Sequence, residues 1–208
     1  MIATASLIST GFHRLPVLVA AVGCGALLAS PAQAASPFTF TMVPSNAACT
    51  PRATADVTIT SLGFAEKMTV TVKGLKPGTK LDLFAIQEPK APFGVGWYVG
   101  DVDIDQNGKG RSFFVGRFSI ETFAVAVAVG AAPVPVRVHD GRDATGENPP
   151  FAPIHTFHLG LWFNSPKDAT ANGCPNLTTP FNGDHTAGVQ ALNTGTFPDR
   201  KGPLRNVD

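Results

Sequence analysis

The 208-residue sequence predicts an exported all-β domain of the sandwich type, with a loop-rich C-terminal extension containing one or two short helices. Three observations predict it. Eight stretches are rich in β-branched or aromatic residues and are separated by Gly, Pro and Asn clusters. Charged residues make up only 15% of the chain, against a usual ~25%. Gly (21) and Pro (18) together exceed their usual ~12%, as many turns require.

The N-terminus carries the address. His13 and Arg14 precede an apolar run, Leu15 to Ala29, with no acidic residue anywhere before Ala35. Fifteen residues fall short of the ~20 that cross a bilayer as a helix. The run ends at Ser30-Pro31 and the small-residue triplet Ala32-Gln33-Ala34, an A-x-A cleavage site. Residues 1–34 are therefore expected to be a signal peptide, and the protein to be secreted or held in the cell envelope. Ala21-Val22-Gly23-Cys24 offers a lipidated Cys24 as the alternative, which Ala21 and the later A-x-A site disfavour.

Cleavage would remove Arg14 and leave fifteen basic and fifteen acidic side chains. A net charge of zero supplies no overall field for nucleic acid or anionic lipid. The next apolar stretch, Phe123 to Val138, is broken by Gly130, Pro133, Pro135 and Arg137, so no membrane span is expected in the mature part. Cys49 and Cys174 remain, and an oxidising compartment pairs them.

After an N-terminal approach segment, 35–54, the expected sandwich runs from 55 to 163. Ala55 to Thr60 and Met68 to Val72 alternate apolar and polar side chains, as half-buried strands do. The Gly74-Leu-Lys-Pro-Gly78 turn leads to a strand from Leu81 to Gln87 that is apolar on both faces. Trp97 to Asp105, Arg111 to Phe118, Thr122 to Val129, Val134 to Val138 and Thr156 to Phe163 follow. Pro133 and Pro135 demote their strand to an edge, and 140–153 reads as a surface loop. In the extension, 164–208, Ser165-Pro166 caps a short helix that stops at Gly173, and Asp184 to Leu192 reads as a second.

Val70 to Phe84, VTVKGLKPGTKLDLF, resembles the strand-turn-strand corner of fibronectin type III and immunoglobulin-like domains, with Leu81 where those domains place a Tyr. The resemblance implies an immunoglobulin-like or fibronectin-III-like β-sandwich. The strings APFGVGWYVGDVDIDQNGKG, FVGRFSIETFAVA, HTFHLGLWFNSPKDATANGCP and PFNGDHTAGVQALNTGTFPDRKGPLR resemble a family of secreted bacterial proteins with no assigned activity. That resemblance implies secretion and supplies no catalytic residue.

Three groups could carry chemistry. Asp101, Asp103 and Asp105 alternate as calcium ligands do, but the EF-hand pattern wants Gly and Glu where Gln106 and Ser112 stand. A solvated strand face is expected instead, with Val102 and Ile104 inward and a Gln106-Asn107-Gly108 hairpin turn. His139-Asp140, His155, His158 and Asp184-His185 could converge on zinc or copper, though His155 and His158 would point to opposite faces of one strand. Trp97, Tyr98 and Trp162 could form a platform for a sugar ring. Core packing is the rival, because Tyr98 would share its face with Val102 and Ile104. No Gly-x-Ser-x-Gly elbow or paired glutamates suggest a hydrolase, so catalytic residues are not expected. The reading that ranks first is a non-enzymatic domain binding a surface, glycan or protein. A His/Asp metal protein or metal-dependent secreted enzyme ranks second, and a calcium-stabilised extracellular module third.

Overall fold

The computed structural model describes residues 36–118, 122–124, 137–139 and 153–207. The expected signal segment with Cys24 and the A-x-A site, and residues 140–152 of the expected surface loop, Asp140 included, lie outside the described residues.

Eight strands hydrogen-bond antiparallel in one continuous order. In chain order they are β1 (Phe38–Pro44), β2 (Thr54–Ser61), β3 (Glu66–Lys73), β4 (Lys80–Ile86), β5 (Gly96–Asp103), β6 (Lys109–Gly116), β10 (His158–Phe163) and β11 (Gln190–Asn193). The sheet runs β5-β4-β10-β11-β1-β2-β3-β6. A separate three-stranded sheet holds β7 (Thr122–Ala124) between β8 (Arg137–His139) and β9 (Pro153–His155). One helix, α1 (Pro166–Ala171), and a 3-10 turn, Pro203–Asn206, complete the described elements. Among the described residues no helix is long and apolar enough to cross a membrane.

The all-β expectation holds, and the sheet is close to a barrel. Its half β1-β2-β3-β6 faces its half β5-β4-β10-β11 across one apolar core that includes Val57 and Val70 from the first and Leu83 and Leu161 from the second. At one seam β1 passes from β2 to β11 at Val43 and Pro44. At the other, β5 turns into β6 through the Ile104–Gly110 bridge, with Ser112 Oγ donating to the Asp101 carbonyl at 2.8 Å. Period-two alternation builds the core, since Met68, Val70 and Val72 point inward while Lys67, Thr69 and Lys73 do not.

The sheet extends beyond 55–163 at both ends. β1, from the expected approach segment, and β11, from the expected extension, are both inner strands. The second helix expected over Asp184 to Leu192 is instead a loop running into β11, whose buried Ala191 and Leu192 pair between β10 and β1. Sheet pairing on both sides satisfies more backbone groups than an isolated helical turn could.

α1 forms as expected. The Ser165 hydroxyl accepts the Asp168 N–H, Pro166 opens the first turn, and Gly173 follows the last with φ +83°. Asn172 then accepts Lys76 N–H at 2.9 Å and donates to Thr79 Oγ1 at 2.8 Å, tying the helix end to the β3–β4 link. The Cys49–Cys174 disulfide lies beside it.

Candidate ligand-binding cleft

β4 is buried on both faces, which explains why its residues are apolar on both, Asp82 apart. Leu81, Leu83 and Ala85 enter the main core. Phe84 and Ile86 enter a second cluster with Trp162 and Ala187, against which Phe93 and Phe181 pack. Asp82 interrupts this second face. Its side chain is 2% exposed and stands in a cross-strand row between Trp162 of β10 and Asp101 of β5.

A bulge in β5 brings Tyr98 to the same face. Leu83 opposes Gly100 whereas Phe84 opposes Tyr98, so Val99 is an extra residue and the alternation reverses across it. Gly100 has φ +154°, and a Cβ there would sit 2.4 Å from the Phe114 ring. The expectation that Tyr98 shares a face with Val102 and Ile104 is therefore corrected. Val102 and Ile104 are buried, while Tyr98 is 51% exposed on the outer face with its ring 5.6 Å from that of Phe84.

The Tyr98 hydroxyl donates to Asp101 Oδ1 at 2.6 Å. Asn182 reaches over from the C-terminal segment, its amide donating to Asp82 Oδ2 at 3.3 Å and to the Asn164 carbonyl at 3.1 Å. Its own carbonyl accepts Thr186 N–H at 2.8 Å, which fixes the loop. Asp82, Tyr98, Asp101, Asn164, Asn182 and Asp184 line an open cleft of about 370 Å³.

Burial pushes the Asp82 carboxyl up to about 6, helped by the neighbouring Asp101 and opposed by the Asn182 amide. The Tyr98 hydroxyl is pushed up by burial and by Asp101, so it stays a donor. Near neutral pH the cleft thus offers carboxylates, amides and a hydroxyl beside an exposed ring.

Asp82 lends itself to a stability test. A carboxyl raised from 3.8 to about 6 binds its proton more tightly in the native state, so its contribution is fully present below about 4 and is lost as pH rises through about 6. Asp82→Asn copies the protonated form. It is expected to raise stability at pH 7.5 by on the order of 2 kcal/mol and to leave it unchanged at pH 4. His158 works in the opposite sense. Burial lowers it despite the Pro198 carbonyl and the charges of Glu88 and Asp199, so its contribution is lost as pH falls below about 6.5. The quantity to measure is therefore the variant-minus-wild-type difference in urea unfolding across pH. A flat difference would show that Asp82 is not the group described.

The other residues singled out by sequence are dispersed. Trp162 is buried below the cleft and Trp97 lies on the other face of β5, where its indole N–H donates to Thr156 Oγ1 at 3.2 Å and its ring stacks with Phe118. Asp103 is exposed opposite Lys80. Asp105 accepts the Asn107 and Lys109 N–H groups at 2.8 and 3.0 Å, which hold the hairpin turn and keep its carboxyl below the usual range. Only Asp101 of the three serves the cleft.

Among the histidines, His155 is exposed at the end of β9 and stacks with Phe157. His158 is buried in β10, its Nδ1 2.9 Å from Thr194 Oγ1. The two occupy different strands rather than the single one expected. His139 on β8 lies opposite Thr122, whose other cross-strand neighbour is His155. His185 is exposed in the loop after Asp184, with φ +56°. Among the described residues, no three His, Cys, Asp or Glu side chains are grouped to hold a metal.

Sequence reasoning missed Asp82 and Asn182. The available signal was the lone carboxylate inside Leu81-Asp-Leu-Phe84, a charge where a doubly buried strand should have none. Compared with known proteins, the chain matches no family model, no curated protein and no solved structure.

Proposed function

We propose that the protein is an exported, non-enzymatic binding domain whose cleft at Asp82, Tyr98 and Asp101 takes a sugar ring. The observation that carries this reading is the half-exposed Tyr98 ring, held by its own hydroxyl to Asp101 beside a cleft rich in carboxylate and amide groups. An aromatic face covers the C–H side of a pyranose, and carboxylate and amide oxygens accept from its hydroxyls. Export is supported by residues 1–34, by the disulfide pair and by the resemblance to secreted bacterial proteins. Kinship with immunoglobulin-like and fibronectin-III-like sandwiches is supported by the Val70–Phe84 corner and by the two facing four-stranded halves.

The test is an array of cell-surface and environmental glycans, followed by calorimetry on the best ligand. Tyr98→Ala and Asp101→Ala are each expected to weaken binding at least tenfold, roughly 1.4 kcal/mol, with the ligand recovered intact. Unchanged affinity in both variants, or a cleaved ligand, would sink the reading.

A further inference from the structure

A net charge of only +1 argues against anionic partners, but it averages over a chain whose charges are not evenly spread. Strands β3 and β6 with the adjoining Arg117 carry five basic side chains, Lys67, Lys73, Lys109, Arg111 and Arg117, of which Lys73 pairs with Asp56 of β2 at 3.1 Å and Arg117 lies by Glu66, leaving Lys67, Lys109 and Arg111 for an anionic partner. Glu66 is buried, its Oε2 accepting Phe118 N–H at 2.7 Å and its Oε1 lying 3.8 Å from Arg117. The carboxylates of the cleft belong to the other half of the sheet.

The same face is apolar where a solvated sheet should be polar. Phe113 and Val115 alternate outward along β6, and Phe113 is 67% exposed. Phe64, in the β2–β3 turn, is 79% exposed beside exposed Leu62, and its carbonyl accepts from Arg117. Register places Thr69 opposite Phe113 and Lys67 opposite Val115, with Lys67 Nζ 4.9 Å from the centre of the Phe113 ring. Lys67, Thr69, Arg111, Ser112 and Phe113 surround a shallow groove of about 310 Å³. The neighbouring outer face of β1 and β2 has the usual polar makeup, with Thr39 against Thr58 and with Asp56 accepting from both Thr41 and Lys73.

We propose that the outer face of β3 and β6 docks on an anionic lipid bilayer. Exposed phenylalanines ringed by lysine and arginine suit the boundary between acyl chains and phosphate headgroups, where aromatic and aliphatic groups enter and cations pair with phosphate. Charge complementarity favours this occupant over a second copy, because two such faces would bring like charges together. The four exposed apolar side chains favour it over an acidic polysaccharide, which offers them nothing to enter. The sugar cleft adjoins this face at the β5–β6 seam, where Ser112 Oγ donates to the Asp101 carbonyl, but Phe64, Lys67, Arg111 and Phe113 do not line the cleft, so variants there test this surface separately.

The experiment is co-sedimentation of the purified protein with vesicles of phosphatidylglycerol in phosphatidylcholine, and with phosphatidylcholine alone. Wild type and two double variants, Phe64→Ser with Phe113→Ser and Lys67→Glu with Arg111→Glu, are prepared identically and checked by melting curve. The expected result is salt-sensitive binding to the anionic vesicles alone, weakened about tenfold or more by each pair. Equal binding to both vesicle types, no binding to anionic vesicles at low salt, or full binding by both folded variants would overturn the proposal. So would a dimer in sedimentation that the serine pair dissociates, or a preference for an acidic polysaccharide that the serine pair leaves intact.

Discussion

Replacing Cys49 and Cys174 together with alanine is expected to cost about 4 kcal/mol of stability. The bridged residues are 125 apart in sequence, with Cα atoms 4.8 Å from each other. A covalent link across so long a stretch removes many open conformations from the unfolded chain, and the loop-entropy model places its effect at about 5 kcal/mol before losses. The native surroundings are already ordered without it. Asn172 holds the β3–β4 link from the same end of α1, and Asp168 accepts Lys80 N–H at 3.2 Å. The variant should therefore keep its sheet and lose mainly the advantage of a restricted unfolded state. Urea unfolding of the variant should show a lower midpoint, and its melting temperature should drop by roughly 8 to 16 °C. A loss under about 1 kcal/mol would mean that the unfolded chain is compact enough to make the bridge redundant.

How much of this was legible in the sequence depends on where a strand keeps its period. β2 and β3 alternate without interruption, Ala55-Asp-Val-Thr-Ile and Met68-Thr-Val-Thr-Val, and the structure pairs them in unbroken register. β1 carries the same signal in Phe38-Thr-Phe-Thr-Met42, where Phe40 and Met42 are buried and Thr39 and Thr41 are not. Its placement between β2 and β11 is a long-range fact that local pattern does not contain. β11 has no period to read, because Ala191, Leu192 and Asn193 are all buried and the strand has neighbours on both sides. The cleft was hidden by a single residue. The bulge at Val99 turns Tyr98 outward beside Asp101, and no sequence window reports one extra residue on one strand of a pair. Asn182 lies one hundred positions from the Asp82 it touches.

The second large effect is expected from Trp162→Ala, which should cost about 4 kcal/mol, within the range for removing a large buried aromatic. Trp162 is 1% exposed, stacked on Phe181 at 4.1 Å between ring centres and met edge-on by Phe84 at 5.6 Å and Phe93 at 5.0 Å. Its ring lies over Gly160, where a Cβ would come within 2.3 Å of it, so the glycine makes room for the indole. No neighbour can fill the gap by a simple rotamer change, because Phe84 and Phe181 already pack against each other at 4.8 Å. The consequence reaches the cleft. Phe181 immediately precedes Asn182, and Asn182 and its loop cover Asp82. Loosening Phe181 should admit water to the Asp82 carboxyl and let it fall from about 6 towards its ordinary value. Urea unfolding would read the first effect, and an NMR titration of the Asp82 carboxyl carbon the second. A variant that loses stability but keeps the raised Asp82 would show that the loop is held by its own hydrogen bonds, from Asn182 to Asn164 and Thr186. A variant that loses neither would refute the aromatic cage as the support of the cleft.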